Sequence, residues 1–402
     1  MINNTFEVMA EESARIQQKL LKGLENVLQV GDVETGVTPH ETVYQDDKIK
    51  VYHYKPTGGK VMPAPVPVLV VYALVNRQYM MDIQQDRSLF KKLLEAGNDL
   101  YVIDWGYPSK MDKYLTMEDY ILGYLDNIVD FVCKRTGNEK INIMGVCQGG
   151  TFSFIYSALF PEKVRNLVLM VTPIDFDTRD GLLNVWSKVI DIDLMVDTMG
   201  NIPGELMNFG FLWLKPFQLI LDKYVGLLDN MDDPNIVQNF LRMEKWIFDS
   251  PDQAGETIRK FVKDLYQENK LVKGEFVLGG RRVDLEKITM PILNVYGEID
   301  HLVPPYSSCC VEKIVASKDV TTKAFPLGHI GMYVSSRSQK DLAPLISQWL
   351  ADRSIVPSDT VGEVKTERFT SHRSPRISKG ITKDAKQKGH RRVVGPKSLP
   401  AS

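Results

Sequence analysis

Gly145-Val146-Cys147-Gln148-Gly149-Gly150 follows the apolar run Ile141-Asn142-Ile143-Met144 and leads into Thr151-Phe152-Ser153-Phe154-Ile155. This order predicts a strand, a glycine-cornered turn and a helix, with one nucleophile at the tip of the turn. That is a nucleophile elbow in which cysteine stands where serine is usual. Glycines beside a strained nucleophile let strand and helix pack closely around the turn. The amides at the start of the following helix favour thiolate over thiol and help to hold a developing oxyanion. At ordinary residue frequencies a Gly-x-Cys-x-Gly-Gly box arises by chance in roughly one chain of this length in a thousand.

Outward from the elbow, the apolar runs 67–73, 100–104, 141–145 and 164–171 alternate with helical stretches at 87–96 and 117–136, and Gly97 and Gly137 end those helices. Continuous apolar strands joined by helices predict a parallel sheet buried on both faces. Lys48 to Tyr54 reads as a half-buried strand, with His53 as a structural residue. From about Asp175 to Leu285 the strand signals thin out, while Trp186, Met195, Met207, Phe211, Trp213 and Trp246 sit on helical patterns. The sheet resumes at Ile292-Leu293-Asn294-Val295-Tyr296 and again at residues 321–325, and a helix over 339–352 closes the domain. The fold class expected is α/β: an α/β-hydrolase fold with a mostly parallel central sheet and an oily helical cap (lid) inserted over the site. The domain boundaries expected are 1–40 for an N-terminal helical segment, 41–174 with 286–352 for the core, 175–285 for the cap and 353–402 for a tail. The apolar stripe of the N-terminal segment, Met9, Ile16, Leu20, Leu24 and Val27/Leu28, either caps the core or docks a partner helix.

The chain has 402 residues, 44% hydrophobic and 25% charged, with a net charge of −2, which gives no hint of a nucleic-acid partner. The balance hides an asymmetry. Residues 353–402 carry 12 Lys/Arg against 4 Asp/Glu, a net +8, which leaves −10 on residues 1–352. Rich in Ser, Pro and Gly and without apolar periodicity, this tail is expected to be disordered, either a solvated spacer or an electrostatic contact to an anionic surface or DNA. Cys133, Cys147, Cys309 and Cys310 show neither metal-ligand spacing nor a disulfide framework, so neither metal nor cofactor is called for. No apolar run approaches a membrane span, and a cytoplasmic location is expected.

In this fold the triad runs nucleophile, acid, histidine along the chain. Cys147, Asp300 and His329 satisfy that order. His329 lies between glycines after the last strand and is the expected base. His301 is expected to orient the loop or contact substrate. The oxyanion donors expected are the backbone N–H of Gln148 and one from the Leu74-Val75-Asn76 loop, with Val75 chosen by position. Cysteine carries a chemical hint, because thiolate attack on a thioester gives another thioester and keeps the acyl group activated. A hydroxyl activated by His329 then forms an oxoester downhill, provided that the cap excludes water. A cysteine-dependent thioesterase or depolymerase shares the same residues and gives free acid instead. A non-catalytic granule protein with a dead site is the third alternative.

The elbow box resembles that of polyhydroxyalkanoate synthases. Further stretches resemble the catalytic subunit of the class III enzymes: Tyr72-Ala73-Leu74-Val75-Asn76-Arg77, Val102-Ile103-Asp104-Trp105-Gly106-Tyr107-Pro108, Asn201-Ile202-Pro203-Gly204-Glu205-Leu206, Glu244-Lys245-Trp246-Ile247-Phe248-Asp249, Asp300-His301-Leu302-Val303-Pro304-Pro305 and Gly328-His329-Ile330-Gly331. The resemblance implies polymerisation of (R)-3-hydroxyacyl-CoA, typically 3-hydroxybutyryl-CoA, with release of CoA. It implies that Cys147 carries the chain, that His329 activates it, and that Asp300 assists His329 or the 3-hydroxyl. It also implies a companion subunit (PhaE-type), a homodimer or hetero-oligomer in which the cap opens, attachment to polyester granules, and a place for Trp246 in a cap segment tied to dimerisation. The basic tail departs from that pattern.

Overall fold

The computed structural model describes residues 14–15, 17–28, 32–58 and 66–354. Eight strands form the central sheet: β1 (Glu41–Asp46), β2 (Ile49–Tyr54), β3 (Val68–Val71), β4 (Leu100–Asp104), β5 (Ile141–Val146), β6 (Val164–Met170), β7 (Ile292–Gly297) and β8 (Val320–Phe325). Their order across the sheet is β1-β2-β4-β3-β5-β6-β7-β8. β1 and β2 run antiparallel, and β2 joins β4 antiparallel. Every pairing from β4 to β8 is parallel.

The continuous apolar strands bury both faces. Leu69 and Val71 of β3, with Ile141 and Ile143 of β5, enter one core, while Val68, Val70, Met144 and Val146 enter the other. Alternation along a pleated strand sends neighbours to opposite faces, and each such side chain contributes about 1.5–3 kcal/mol on burial. The polar exception in β5, Asn142, is fully satisfied. Its Nδ2 donates to Val66 O at 3.1 Å and Ser354 Oγ at 3.1 Å, and its Oδ1 accepts from Asn166 Nδ2 at 2.8 Å.

Several boundaries differ from the sequence expectation. Helix α1 (Leu89–Glu95) starts two residues late, because Arg87–Ser88 pairs with Asp82–Gln84 in a short hairpin and Ser88 caps the helix by accepting from Lys91 N. β1 was not foreseen, since its mostly polar residues lie on the solvent-facing edge of the sheet. The long helix over 117–136 is present, with a π-turn at Asp119–Leu125 leading into α2 (Asp126–Thr136). The N-terminal stripe is overturned as a core cap. Within residues 17–28, Leu20, Leu24 and Leu28 face solvent, and the buried positions are Gly23 and Asn26. Asn26 Nδ2 donates to Met231 O at 2.9 Å, so this helix leans on the inserted segment instead. Ile16 and Met9 lie outside the described residues, as does the tail from residue 355 onward.

After the elbow helix α3 (Gln148–Leu159) and β6 comes the insertion. It begins with α4 (Leu182–Ser187), α5 (Ile192–Met199), α6 (Gly204–Trp213), α7 (Lys223–Asn230) and α8 (Pro234–Phe248). Its last third behaves differently: α9 (Gly255–Lys260) runs on into a π-turn that sinks Phe261, Leu265 and Tyr266 into the main core beside Phe152 and Phe176. Helix α10 (Ala343–Arg353) closes the chain's described part against the second core.

Candidate active site

β5 delivers Cys147 at the carboxyl end of the sheet, next to β3, where the strand order turns back on itself. Ligands of open α/β sheets bind at this kind of switch point. Cys147 adopts φ 53° and ψ −125°, a strained conformation for a residue with a side chain. Cys147 N–H donates to Met170 O at 2.9 Å, and Gly150 N–H and Thr151 N–H donate to Cys147 O at 2.9 and 3.3 Å. Packing explains two of the glycines. A Cβ on Gly149 would run into the carbonyl oxygens of Val71 and Tyr72, and one on Gly150 into the side chain of Thr172.

Asp300 follows β7 and is buried. Its Oδ1 accepts from Leu302 N at 2.9 Å and Val303 N at 3.0 Å, which leaves Oδ2 for His329 Nδ1 at 2.7 Å. His329 follows β8 and is itself buried. Burial alone would pull its pKa down, but the charges of Asp300 and Cys147, with hydrogen bonds to both, outweigh it and carry the imidazole up to about 10. Cys147 and this ring line the same cavity, and the ring's Nδ1 is held by Asp300. This assembly suits a thiolate beside an imidazolium.

Gln148 is the first residue of α3, so its amide is one of the orphan donors of a helix N-terminus. Its side chain does separate work, because Gln148 Oε1 accepts from Leu74 N at 3.1 Å. That takes Leu74 out of the donor set and leaves Val75 and Asn76 in the loop. The other side of the Leu74 peptide is held from the inserted segment, as Gln253 Nε2 donates to Leu74 O at 3.1 Å. Trp246 is buried within its own chain, and its Nε1 donates to Arg77 O at 2.8 Å. His301 lines the same space, and burial, Lys215 and His329 together hold its pKa below the ordinary value despite Asp300.

Cys147, Gln148, Val75, Trp246, His301 and His329 border one cavity of about 780 Å³. Cys147, Gln148, Val75, His301 and His329 stand on its floor, and Met195, Met207, Phe211, Phe240 and Met243 of the insertion are among the apolar groups over it. Sequence reading missed Tyr333. Its Oη lies 3.0 Å from His329 Nε2, on the nitrogen opposite Asp300. The available signal was the spacing: positions i and i+4 meet on one face of a helical turn, and Gly331–Val334 forms that turn. Among the described residues no group of His, Cys, Asp or Glu could hold a metal ion, and no helix is long and apolar enough to cross a membrane.

Comparison with known proteins agrees with this geometry. A profile of the alpha/beta hydrolase fold matches residues 66–333, and one of the poly-beta-hydroxybutyrate polymerase (PhaC) N-terminus matches residues 4–93. The chain is 55% identical over 345 residues to the poly(3-hydroxyalkanoate) polymerase subunit PhaC of Allochromatium vinosum, covering 86% of this chain and 97% of that one. It is 54% identical to the subunit of the same name from a Synechocystis species, covering 87% and 94%, and 43% identical to that of Haloferax mediterranei, covering 89% and 73%. With identity at this level along nearly the whole of its bacterial relatives, the chain belongs to the PhaC family of poly(3-hydroxyalkanoate) polymerases, acyl-transferring enzymes on an α/β-hydrolase fold, and specifically to the class III type that its motifs resemble.

Proposed function

We propose that this chain polymerises (R)-3-hydroxyacyl-CoA, typically 3-hydroxybutyryl-CoA, through an acyl chain held as a thioester on Cys147. The observation that carries the reading is the placement of a cysteine, not a serine, against the Asp300–His329 pair on the floor of a large apolar cavity.

Two half-reactions follow from the residues. In acylation the Cys147 thiolate attacks the carbonyl carbon of the CoA thioester, with the oxyanion held by the N–H groups of Gln148 and Val75. The C–S bond to CoA breaks, and the CoA thiolate takes the proton from imidazolium His329. One thioester has replaced another, so little driving force is lost. In elongation His329, now neutral, is the base that ends up with a proton as the oxygen of an incoming 3-hydroxyl attacks the Cys147 thioester and the hydroxyl is deprotonated. The C–S bond breaks, the ester forms, and the thiolate–imidazolium pair is restored. Asp300 acts on His329 in both halves: its free oxygen faces Nδ1, while its other oxygen is occupied by backbone amides. His301, kept neutral, contacts substrate within the cavity. The apolar roof supports polymerisation over hydrolysis by keeping water from the acyl-enzyme. A PhaE-type companion subunit, assembly into dimers or hetero-oligomers, and residence at the surface of polyester granules in the cytoplasm complete the reading. No cofactor enters it.

The test is purified protein with 3-hydroxybutyryl-CoA, with and without a companion subunit, scored for CoA release and insoluble polyester. Polymer is expected from the parent, and Cys147→Ser is expected to lower its formation by at least ~10³-fold, because an oxoester intermediate no longer matches the energy of the thioester donor. Stoichiometric free hydroxy acid instead of polymer would identify a hydrolase, and an unimpaired Cys147→Ala variant would remove the covalent mechanism altogether.

A further inference from the structure

His329 Nε2 has Tyr333 Oη at 3.0 Å, and Cys147 lines the same cavity as both residues. The phenol is not there loosely. Tyr333 is 1% exposed, its ring stands perpendicular to the imidazole at a centroid distance of 5.5 Å, and its carbonyl accepts from Gln339 Nε2 at 3.0 Å. The next residue back is pinned as well, since Ser338 Oγ donates to Met332 O at 2.6 Å. The hydroxyl nevertheless borders the cavity that contains Cys147.

This arrangement poses a problem for elongation. The neutral imidazole keeps its proton on Nδ1, toward Asp300, so the basic lone pair is on Nε2, and Tyr333 O–H caps it. An incoming alcohol that bonded Nε2 directly would have to evict the phenol and leave a buried hydroxyl without a partner, an unfavourable exchange for a buried group. Passing the proton through the phenol leaves every group satisfied.

We infer that Tyr333 relays the elongation proton: the substrate 3-hydroxyl gives its proton to Tyr333 Oη while Tyr333 gives its own to His329 Nε2. This inference rests on the covalent polymerisation reading above. As the alcohol's O–H bond breaks, its oxygen bonds the acyl carbon, the electron pair of the C–S bond goes to Cys147, and Tyr333 ends as it began, a neutral phenol. The transfer is concerted. Burial, followed by the charges near Tyr72, Cys147 and Asp300, holds the phenol's pKa well above its ordinary value, so a free phenolate is not formed on the way. Acylation needs no such relay, since no proton is taken up at Nε2 in that half of the proposed mechanism: Cys147 is the attacking sulfur and His329 gives its proton toward the departing CoA. The tyrosine thus divides the two half-reactions, which share every other group.

Tyr333→Phe tests this, because it removes one oxygen and keeps the ring. With 3-hydroxybutyryl-CoA, the rapid first-turnover release of CoA is expected to stay within about threefold of the parent, while steady-state chain growth falls by ~10²-fold or more, the usual contribution of a positioned proton carrier. The intact first turnover also shows that the variant is folded and that acylation of Cys147 occurs, so failure of this inference is distinguishable from failure of the covalent reading. Placing a fluorinated tyrosine at position 333 is expected to change chain growth in step with phenol acidity and to leave the first turnover unmoved. Chain growth in Tyr333→Phe within threefold of the parent would overturn the relay. So would an equal loss in both phases, which would make the phenol a mere support for the imidazole.

Discussion

In the proposed mechanism, Asp300 sets the charge state on which the first half-reaction depends. An imidazolium is favoured by the carboxylate 2.7 Å from Nδ1, and this is the leading influence raising His329 against the opposing pull of burial. Replacing Asp300 by Asn keeps the shape and removes the anion, so the protonated ring loses stability and its pKa falls. On that mechanism acylation requires the proton on His329, and activity is expected to be lost as pH rises through that pKa. The alkaline limb of kcat/KM, which reports the free enzyme, is therefore expected to move to lower pH by about one unit or more in Asp300→Asn. An unmoved alkaline limb would mean that the acid acts on the substrate hydroxyl instead. At this scale much was legible beforehand. Cys147, Asp300 and His329 stand in the chain order that the fold demands, each after an apolar strand. Tyr333 was not legible, because its spacing from His329 gains meaning only when the Gly331–Val334 segment is known to make a helical turn.

The elements meet at the Leu74 peptide. Its N–H is held by a side chain of the elbow helix, its carbonyl by Gln253 just after α8, and Asn76 at φ 58° carries the loop onward. The loop that is to supply the second oxyanion donor is thus fixed from the core on one side and from the insertion on the other. Gln148→Met preserves the backbone N–H of residue 148 and nearly the volume of its side chain, yet leaves Leu74 N–H buried without its acceptor. That omission costs about 1–3 kcal/mol where it cannot be repaired. The acylation rate constant is expected to fall ~10–100-fold with little change in KM, because the oxyanion is held only as the carbonyl is attacked. A rise in KM at constant kcat would show that the loop binds substrate uniformly instead. The helical character of the insertion was readable from its Met and aromatic spacing, but its division was not. Phe261, Leu265 and Tyr266 look like further lid residues in sequence, and only tertiary packing tells that they belong beneath the sheet's own helices. Likewise the edge strand β1 is largely polar because little of it is buried, which removes the signal that marks the interior strands.

Across the whole molecule, charge is distributed unevenly along the chain, −10 on residues 1–352 and +8 on residues 353–402. The last described residue, Ser354, is bound into the fold. Its hydroxyl accepts from Asn142 Nδ2 at 3.1 Å and Asn166 Nδ2 at 3.4 Å, two amides buried between the central strands, and Arg353 pairs with Asp319 at 2.8 and 2.9 Å. A closing helix was legible over 339–352, and the regular α-helix runs over Ala343–Arg353. The role of Ser354 was not legible, since a serine beyond a helix end looks in sequence like the start of a tail. A chain stopped after Pro357 is expected to keep the parent's midpoint in denaturant and its rate of polymer formation, because every contact of the closing helix survives. A chain stopped after Ala351 leaves two interior amides short of an acceptor and is expected to lose roughly 2–4 kcal/mol of stability. The partly exposed Arg353–Asp319 pair adds little to that figure. Equal midpoints for the two truncations would show that water reaches Asn142 and Asn166 and satisfies them. Comparing the Pro357 truncation with the full chain for polyester association at low and high salt then isolates the basic segment. If the tail contacts an anionic surface, association of the full chain falls with salt and the truncation shows little of that dependence. Identical salt curves identify it as a solvated spacer.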